Sequence, residues 1–127
     1  MSQFSRGDVL MVQLDPTKGS EQAGARPVIV VSRDSINRIA INDNPSRTLV
    51  MVCVPTTDRE HLDRLYPCHV ELKKGAGGLE KQSVALCEQV RAIAPGQWLI
   101  RFMGKLGSQD MARIDEALRV TLDLECE

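Results

Sequence analysis

Long apolar runs, paired cysteine motifs and an excess of either charge are all missing from this 127-residue chain. No stretch approaches the roughly 18 apolar residues that a membrane span needs, so no role inside a membrane is expected. The opening Met1-Ser2-Gln3-Phe4-Ser5-Arg6 lacks the apolar region of a secretory signal, and a soluble cytoplasmic protein is the expectation. Cys53, Cys68, Cys87 and Cys126 form no C-x-x-C pair, and His61 and His69 are the only imidazoles, so neither a metal site nor a cofactor is expected. Cys53 and Cys87 instead lie inside apolar runs, where a thiol acts as a small core hydrophobe. A formal net charge of -1 removes any argument from bulk charge for binding nucleic acid, while leaving room for a local basic patch. Internal repeats and linkers are absent as well.

What is present is globular. Hydrophobic residues at 43% and charged residues at 26% suit one domain over residues 1–127, long enough to bury roughly two-thirds of its unfolded surface around one core. Arg6-Gly7-Asp8 reads as a turn into a half-buried strand over residues 9–14, with Leu10, Val12 and Leu14 on one face and Val9, Met11 and Gln13 on the other. A second strand runs from Pro27 to Ser32, a short helical turn is expected over residues 34–40, and Asn42-Asp43-Asn44-Pro45-Ser46 breaks the pattern. A third, β-branched strand over residues 48–54 is expected to stop at Pro55, whose missing N–H would weaken an interior ladder. Residues 58–64 read as a charged connector, residues 68–72 as a strand, Gly75-Ala76-Gly77-Gly78 as a turn, and residues 82–93 as one long, bent strand. Ser108 is expected to cap a terminal helix whose apolar face is Met111, Ile114, Leu118 and Leu122. Short strands followed by one helix predict a mainly β barrel with a helix packed on it.

The first two strands are joined by a polar loop, Asp15-Pro16-Thr17-Lys18-Gly19-Ser20-Glu21-Gln22-Ala23-Gly24-Ala25-Arg26-Pro27. Its hydroxyls, carboxylates, amide, ammonium and guanidinium suit a binding or catalytic loop, and equally an ordinary polar turn. Taken together, Arg6-Gly7-Asp8-Val9, the run from Leu14 to Gly24, Arg26-Pro27-Val28 and Ser83-Val84-Ala85-Leu86-Cys87-Glu88-Gln89-Val90-Arg91 strongly resemble, in order, the MazF/PemK (Kid) toxin family. The resemblance covers residues 6 to about 124, and its loop motif is long and specific. It implies an SH3-like (MazF/PemK/CcdB-like) barrel with a C-terminal helix, a homodimer, and a metal-independent endoribonuclease that cuts single-stranded RNA, in cells mRNA, at short sequences. It also implies a cognate antitoxin that blocks the RNA groove. By motif, Arg26 of the R-P pair takes the principal catalytic position, and the family's P-x-T threonine falls on Thr57, with Thr56 as the rival after a one-residue slip. Lys18, Ser20, Glu21 and Gln22 match positions that contribute to the RNA site or its organisation.

The chemistry so implied needs no metal, because the RNA's own 2′-hydroxyl attacks the adjacent phosphorus and leaves a 2′,3′-cyclic phosphate and a 5′-hydroxyl. A guanidinium such as Arg26 presents a rigid fork to phosphate oxygens, and the threonine hydroxyl donates to the same group. Arginine keeps its proton and is a poor base; Glu21 is an available carboxylate, although an ion pair with Lys18 or Arg26 explains it as well. Neither His61 nor His69 matches a family catalytic motif, and both read as surface or strand-packing residues. Aromatics are few, only Phe4, Tyr66, Trp98 and Phe102, so base preference should come from polar loop groups rather than stacking platforms. Trp98 and Phe102, at i and i+4, read as packing against the terminal helix. A reading from another class is a non-catalytic binder on the same fold, such as a CcdB-like gyrase-directed toxin or a degenerate family member. The intact R-P and P-x-T elements speak against it.

Overall fold

A computed structural model describes residues 4–14, 24–34, 51–93 and 99–124. Seven strands form one antiparallel sheet: β1 (Asp8–Leu14), β2 (Gly24–Val30), β3 (Met51–Asp58), β4 (His69–Leu72), β5 (Ser83–Leu86), β6 (Arg91–Ile93) and β7 (Leu99–Lys105). The strand order is β4-β5-β3-β2-β1-β7, with β6 also paired to β3, and the helix α1 (Ser108–Leu122) follows β7. All but the first residue of the helical turn expected over residues 34–40, the break over residues 42–46, the start of the third strand and Trp98 lie outside the described residues.

On the face of β1 expected to be open, Met11 is partly exposed and Gln13 exposed, but Val9 is buried. Val9 is as inaccessible as Leu10 and Val12. Val9, Ile29, Val54, Leu72, Ala85 and Cys87 pack with Met111, Ile114 and Ala117 of α1. On the opposite face, Leu10, Val12, Val28, Val30, Met51 and Cys53 gather with Phe4 and Ile93. Successive side chains of a strand point to opposite faces, so these two clusters label the two sides of the sheet throughout β1, β2 and β3.

Pro55 does not end the third strand. β3 runs on through Thr56, Thr57 and Asp58, because Pro55 falls where β3 changes neighbour: Met51–Cys53 pair with β6, Thr56–Asp58 pair with β5. A proline is tolerated at such a break in the ladder. The single strand expected over residues 82–93 is accordingly divided: β5 and β6 both lie along β3, and a 3-10 turn at Cys87–Gln89 takes up the extra residues between them.

The ends of the sheet meet through glycine. The 3-10 turn Ala76–Gly78 after β4 packs on β7, with the Gly77 carbonyl oxygen only 2.6 Å from where a Cβ on Gly104 would sit. Bulges in the β1–β7 pairing add the curvature that this approach needs. The outcome is the mainly β, barrel-like architecture with a terminal helix that the sequence led us to expect.

Gly107, not Ser108, occupies the N-cap of α1, and no side chain caps it. The buried stripe of α1 is Met111, Ile114 and Ala117, whereas Leu122 is about half exposed, since the last turn runs past the sheet. Phe102 is 57% exposed on β7 and does not pack under α1. The opening turn is as expected: Gly7 has φ 97, its N–H donates to the Val30 carbonyl (2.8 Å), and Arg6 pairs with Asp115 of α1.

Candidate active site

β2 and β3 carry the three residues singled out as catalytic, and their register decides which of them share a face. The β2–β3 ladder pairs Val30 with Cys53, Ile29 with Val54 and Val28 with Pro55. Counting on by two along each strand places Arg26 and Thr57 on the face of Val28 and Val12. Thr56 falls on the other face, beside Val54 and its partner Ala85. Its hydroxyl donates to the Pro27 carbonyl at 2.9 Å, and with 2% of its surface exposed it is a buried cross-strand tie.

Arg26 is half-buried on β2, opposite Val12 of β1. The β1–β2 hairpin ladder ends at the Leu14–Gly24 pair, two residues from Arg26, and residues 15–23 are the sequence segment between the two strands. Lys18, Ser20, Glu21 and Gln22 belong to that segment and lie outside the described residues.

Thr57 is also nearly enclosed, at 5% exposure, and its Oγ1 lies 3.5 Å from His61 Nδ1. The contact depends on the 3-10 turn Arg59–His61, which brings the chain back over the end of β3. Around it, Arg59 pairs with Glu71 of β4 (3.3 Å) and its backbone N–H donates to the Gln82 carbonyl (2.9 Å), while Lys81 pairs with Asp58 (3.5 Å). An open cleft beside the turn is lined by Asp58, Arg59, Glu60, Lys81 and Gln82. Nothing in residue type alone distinguished His61 from other residues of a charged connector; the one signal was its spacing of four from Thr57.

The other histidine is fully engaged. His69 Nδ1 accepts the Tyr66 N–H at 3.1 Å and its Nε2 lies 3.2 Å from Glu88, which fits the strand-packing role expected of it. Cys53 and Cys87 are inaccessible core thiols as expected, and burial pushes each from 9.0 up to about 12. Two groups of side chains come close enough together to hold a cation, Cys68/His69/Glu88 and Asp58/Glu60/His61. In the first, the Tyr66 N–H on Nδ1 leaves the neutral ring's proton on Nε2, the nitrogen facing Glu88, which favours a hydrogen bond over a metal bond there. No helix among the described residues is long and apolar enough to cross a membrane.

Known proteins share the sequence and the fold of this chain. Endoribonuclease MazF9 of Mycobacterium tuberculosis is 37% identical over 119 residues, covering 94% of this chain and 96% of that protein. Among solved structures, MazF from Deinococcus radiodurans superposes with a TM-score of 0.75 at 21% identity, over 98% of this chain and all of that one. A mycobacterial endoribonuclease in complex with its cognate antitoxin gives 0.71 at 23% identity, over 97% and 98% of the two chains. Both structures share the fold described above, and the profile of the PemK-like, MazF-like toxins of type II toxin–antitoxin systems matches residues 5–122. With that span and that identity, the chain belongs to the PemK/MazF toxin family.

Proposed function

We propose that this protein is a toxin endoribonuclease that cuts single-stranded RNA without a metal ion and is held inactive by a cognate antitoxin. The observation that carries the reading is the 37% identity, over nearly the whole of both chains, to a protein named as an endoribonuclease. The shared face of Arg26 and Thr57 supports it. The RNA 2′-oxygen forms a bond to phosphorus, the bond from phosphorus to the 5′-oxygen breaks, and the products carry a 2′,3′-cyclic phosphate and a 5′-hydroxyl. Arg26 offsets the charge that builds on the phosphate oxygens, and the Thr57 hydroxyl donates to the same group. Thr56 ties β3 to β2 and makes no contact with substrate. Lys18, Ser20, Glu21 and Gln22, from the sequence segment between β1 and β2, contribute to reading the RNA. The molecule acts in the cytoplasm as a single domain over residues 1–127, and two copies form a homodimer whose groove takes the RNA.

The test is cleavage of a long single-stranded RNA by purified protein in EDTA, read by sequencing the new 5′ ends. Wild-type protein should release fragments with 5′-hydroxyls. Arg26→Ala should lower the rate by roughly 10²-fold or more, the scale of removing a group aimed at transition-state charge, with the domain still folded by circular dichroism. An Arg26→Ala rate equal to wild type would remove Arg26 from the mechanism.

A further inference from the structure

The reaction above leaves one proton without a carrier. The attacking 2′-hydroxyl must lose it, Arg26 cannot take it, and Thr57 is committed to the phosphate. We propose that His61 is the general base of this site, taking the 2′-hydroxyl proton on Nε2 while the 5′-oxygen is protonated by water as its bond to phosphorus breaks. The inference rests on the endoribonuclease reading and deepens it.

Three observations converge on this residue. First, the His61 ring reaches the Thr57 hydroxyl through Nδ1, at 3.5 Å. If Thr57 donates its proton to a phosphate oxygen, its lone pairs are left to accept Nδ1–H. That fixes the tautomer in which Nε2 carries a free lone pair, the form a general base needs. Second, access differs along this short segment: Thr57 is 5% exposed, whereas His61 lies open to solvent. A strand of RNA brought against Thr57 therefore meets the imidazole edge as well. Third, strand alternation puts Thr57 on the same side of the sheet as Arg26, and both stand towards the end of β2 and β3 to which the Arg59–His61 turn returns.

The charged groups around the ring come from three other places besides β2. Asp58 and Glu60 flank it on its own segment, with carboxylate oxygens and ring nitrogen within 4.8 Å of one another. Lys81, before β5, pairs with Asp58, and Arg59 pairs with Glu71 of β4, so each of these two cations has a carboxylate partner.

The experiment is single-turnover cleavage of the same RNA in EDTA between pH 5 and 9, with wild type, His61→Ala, His61→Asn and Arg26→Ala. His61→Ala should lose roughly 10²–10⁴-fold at neutral pH, the range that positioned proton transfer supplies. Any acid-side fall in the wild-type rate should vanish in both His61 variants, and added imidazole should restore part of the His61→Ala rate. His61 is exposed, so both variants should fold; should the alanine variant not, the asparagine variant gives the same readings. If wild type cuts RNA and Arg26→Ala does not, but the His61 variants keep the wild-type rate and pH profile, the base assignment is overturned and the endoribonuclease reading survives. If wild type cuts no RNA, both fall together.

Discussion

Adding one methyl group at Gly104 should do more damage than its size suggests. A Cβ there would lie 2.6 Å from the Gly77 carbonyl oxygen, 2.7 Å from the Gly77 carbonyl carbon and 3.1 Å from the Gly78 nitrogen. All three are backbone atoms, so no side chain can swing away; the turn after β4 must lift from β7. Across the same contact, a Cβ on Gly78 would come 2.4 Å from the Met103 carbonyl oxygen. The two backbones are therefore fitted to each other from both sides, and relief at one point tightens another. Overpacking costs about 1–3 kcal/mol when side chains can still adjust, and here the upper part of that range is expected. For a chain of this length 1 kcal/mol moves the melting temperature by roughly 3–6 °C, so a cost of about 2–3 kcal/mol should make Gly104→Ala melt about 6–18 °C below wild type. Gly75→Ala supplies the control: nothing lies within 4 Å of its added Cβ, and its φ of +96 leaves only backbone strain of about 1–2 kcal/mol. Thermal unfolding followed by circular dichroism decides. A Gly104→Ala melt no lower than that of Gly75→Ala would refute the idea that glycine contact closes the sheet.

Two further outcomes follow from burial and register. Thr56→Val keeps the shape but deletes the hydroxyl that donates to Pro27, so it should cost about 1–2 kcal/mol in urea unfolding and leave RNA cleavage near wild type; Thr57→Val should do the reverse, with cleavage down roughly 10²-fold and stability little changed. Alkali should unfold the protein through its core thiols. The unfolded chain releases the protons of Cys53 and Cys87 near 9.0, while the folded chain holds them to about 12. The unfolded state thus binds fewer protons in that window: stability is intact below pH 9 and falls as pH rises, by up to about 1.4 kcal/mol per pH unit for each thiol. Urea midpoints at pH 8, 10 and 11 should show that slope, and a Cys53→Ala/Cys87→Ala double variant should flatten it; an unchanged slope would rule the thiols out.

Much of the architecture was legible because apolar alternation and turn chemistry agree along the chain. Cys68–Leu72 read as a strand, and the alternation is there in β4, where Val70 and Leu72 are buried and His69 and Glu71 are partly exposed. The Gly75–Gly78 turn was legible for the same reason, though not the use made of it, since the approach to Gly104 joins segments far apart in sequence. Pro55 misled because proline was weighed against a continuous ladder, whereas β3 changes partner there. Leu122 misled because helical periodicity continues after the surface that α1 packs on has ended. Val9 was placed on the open side of a half-buried strand; that side is open at Gln13, but at Val9 the core under α1 covers it, which no single-strand pattern reveals.

At the candidate site the limits of sequence have a definite cause. Motif spacing could narrow the threonine to two neighbours, but adjacent residues of a strand face opposite ways, so the choice between them is a question of register, and register is set by the partner strand. Once Val28 is paired with Pro55, parity alone puts Thr57 with Arg26 and turns Thr56 to the helix-covered side. His61 lies one step further from the sequence, because its contact with Thr57 needs both that parity and the 3-10 turn that folds residues 59–61 back over the strand end. The same parity ties the tests together. If Thr56→Val stopped cleavage while Thr57→Val spared it, the hydroxyl facing Arg26 would be the wrong one, and the place of His61 beside it would lose its basis with it.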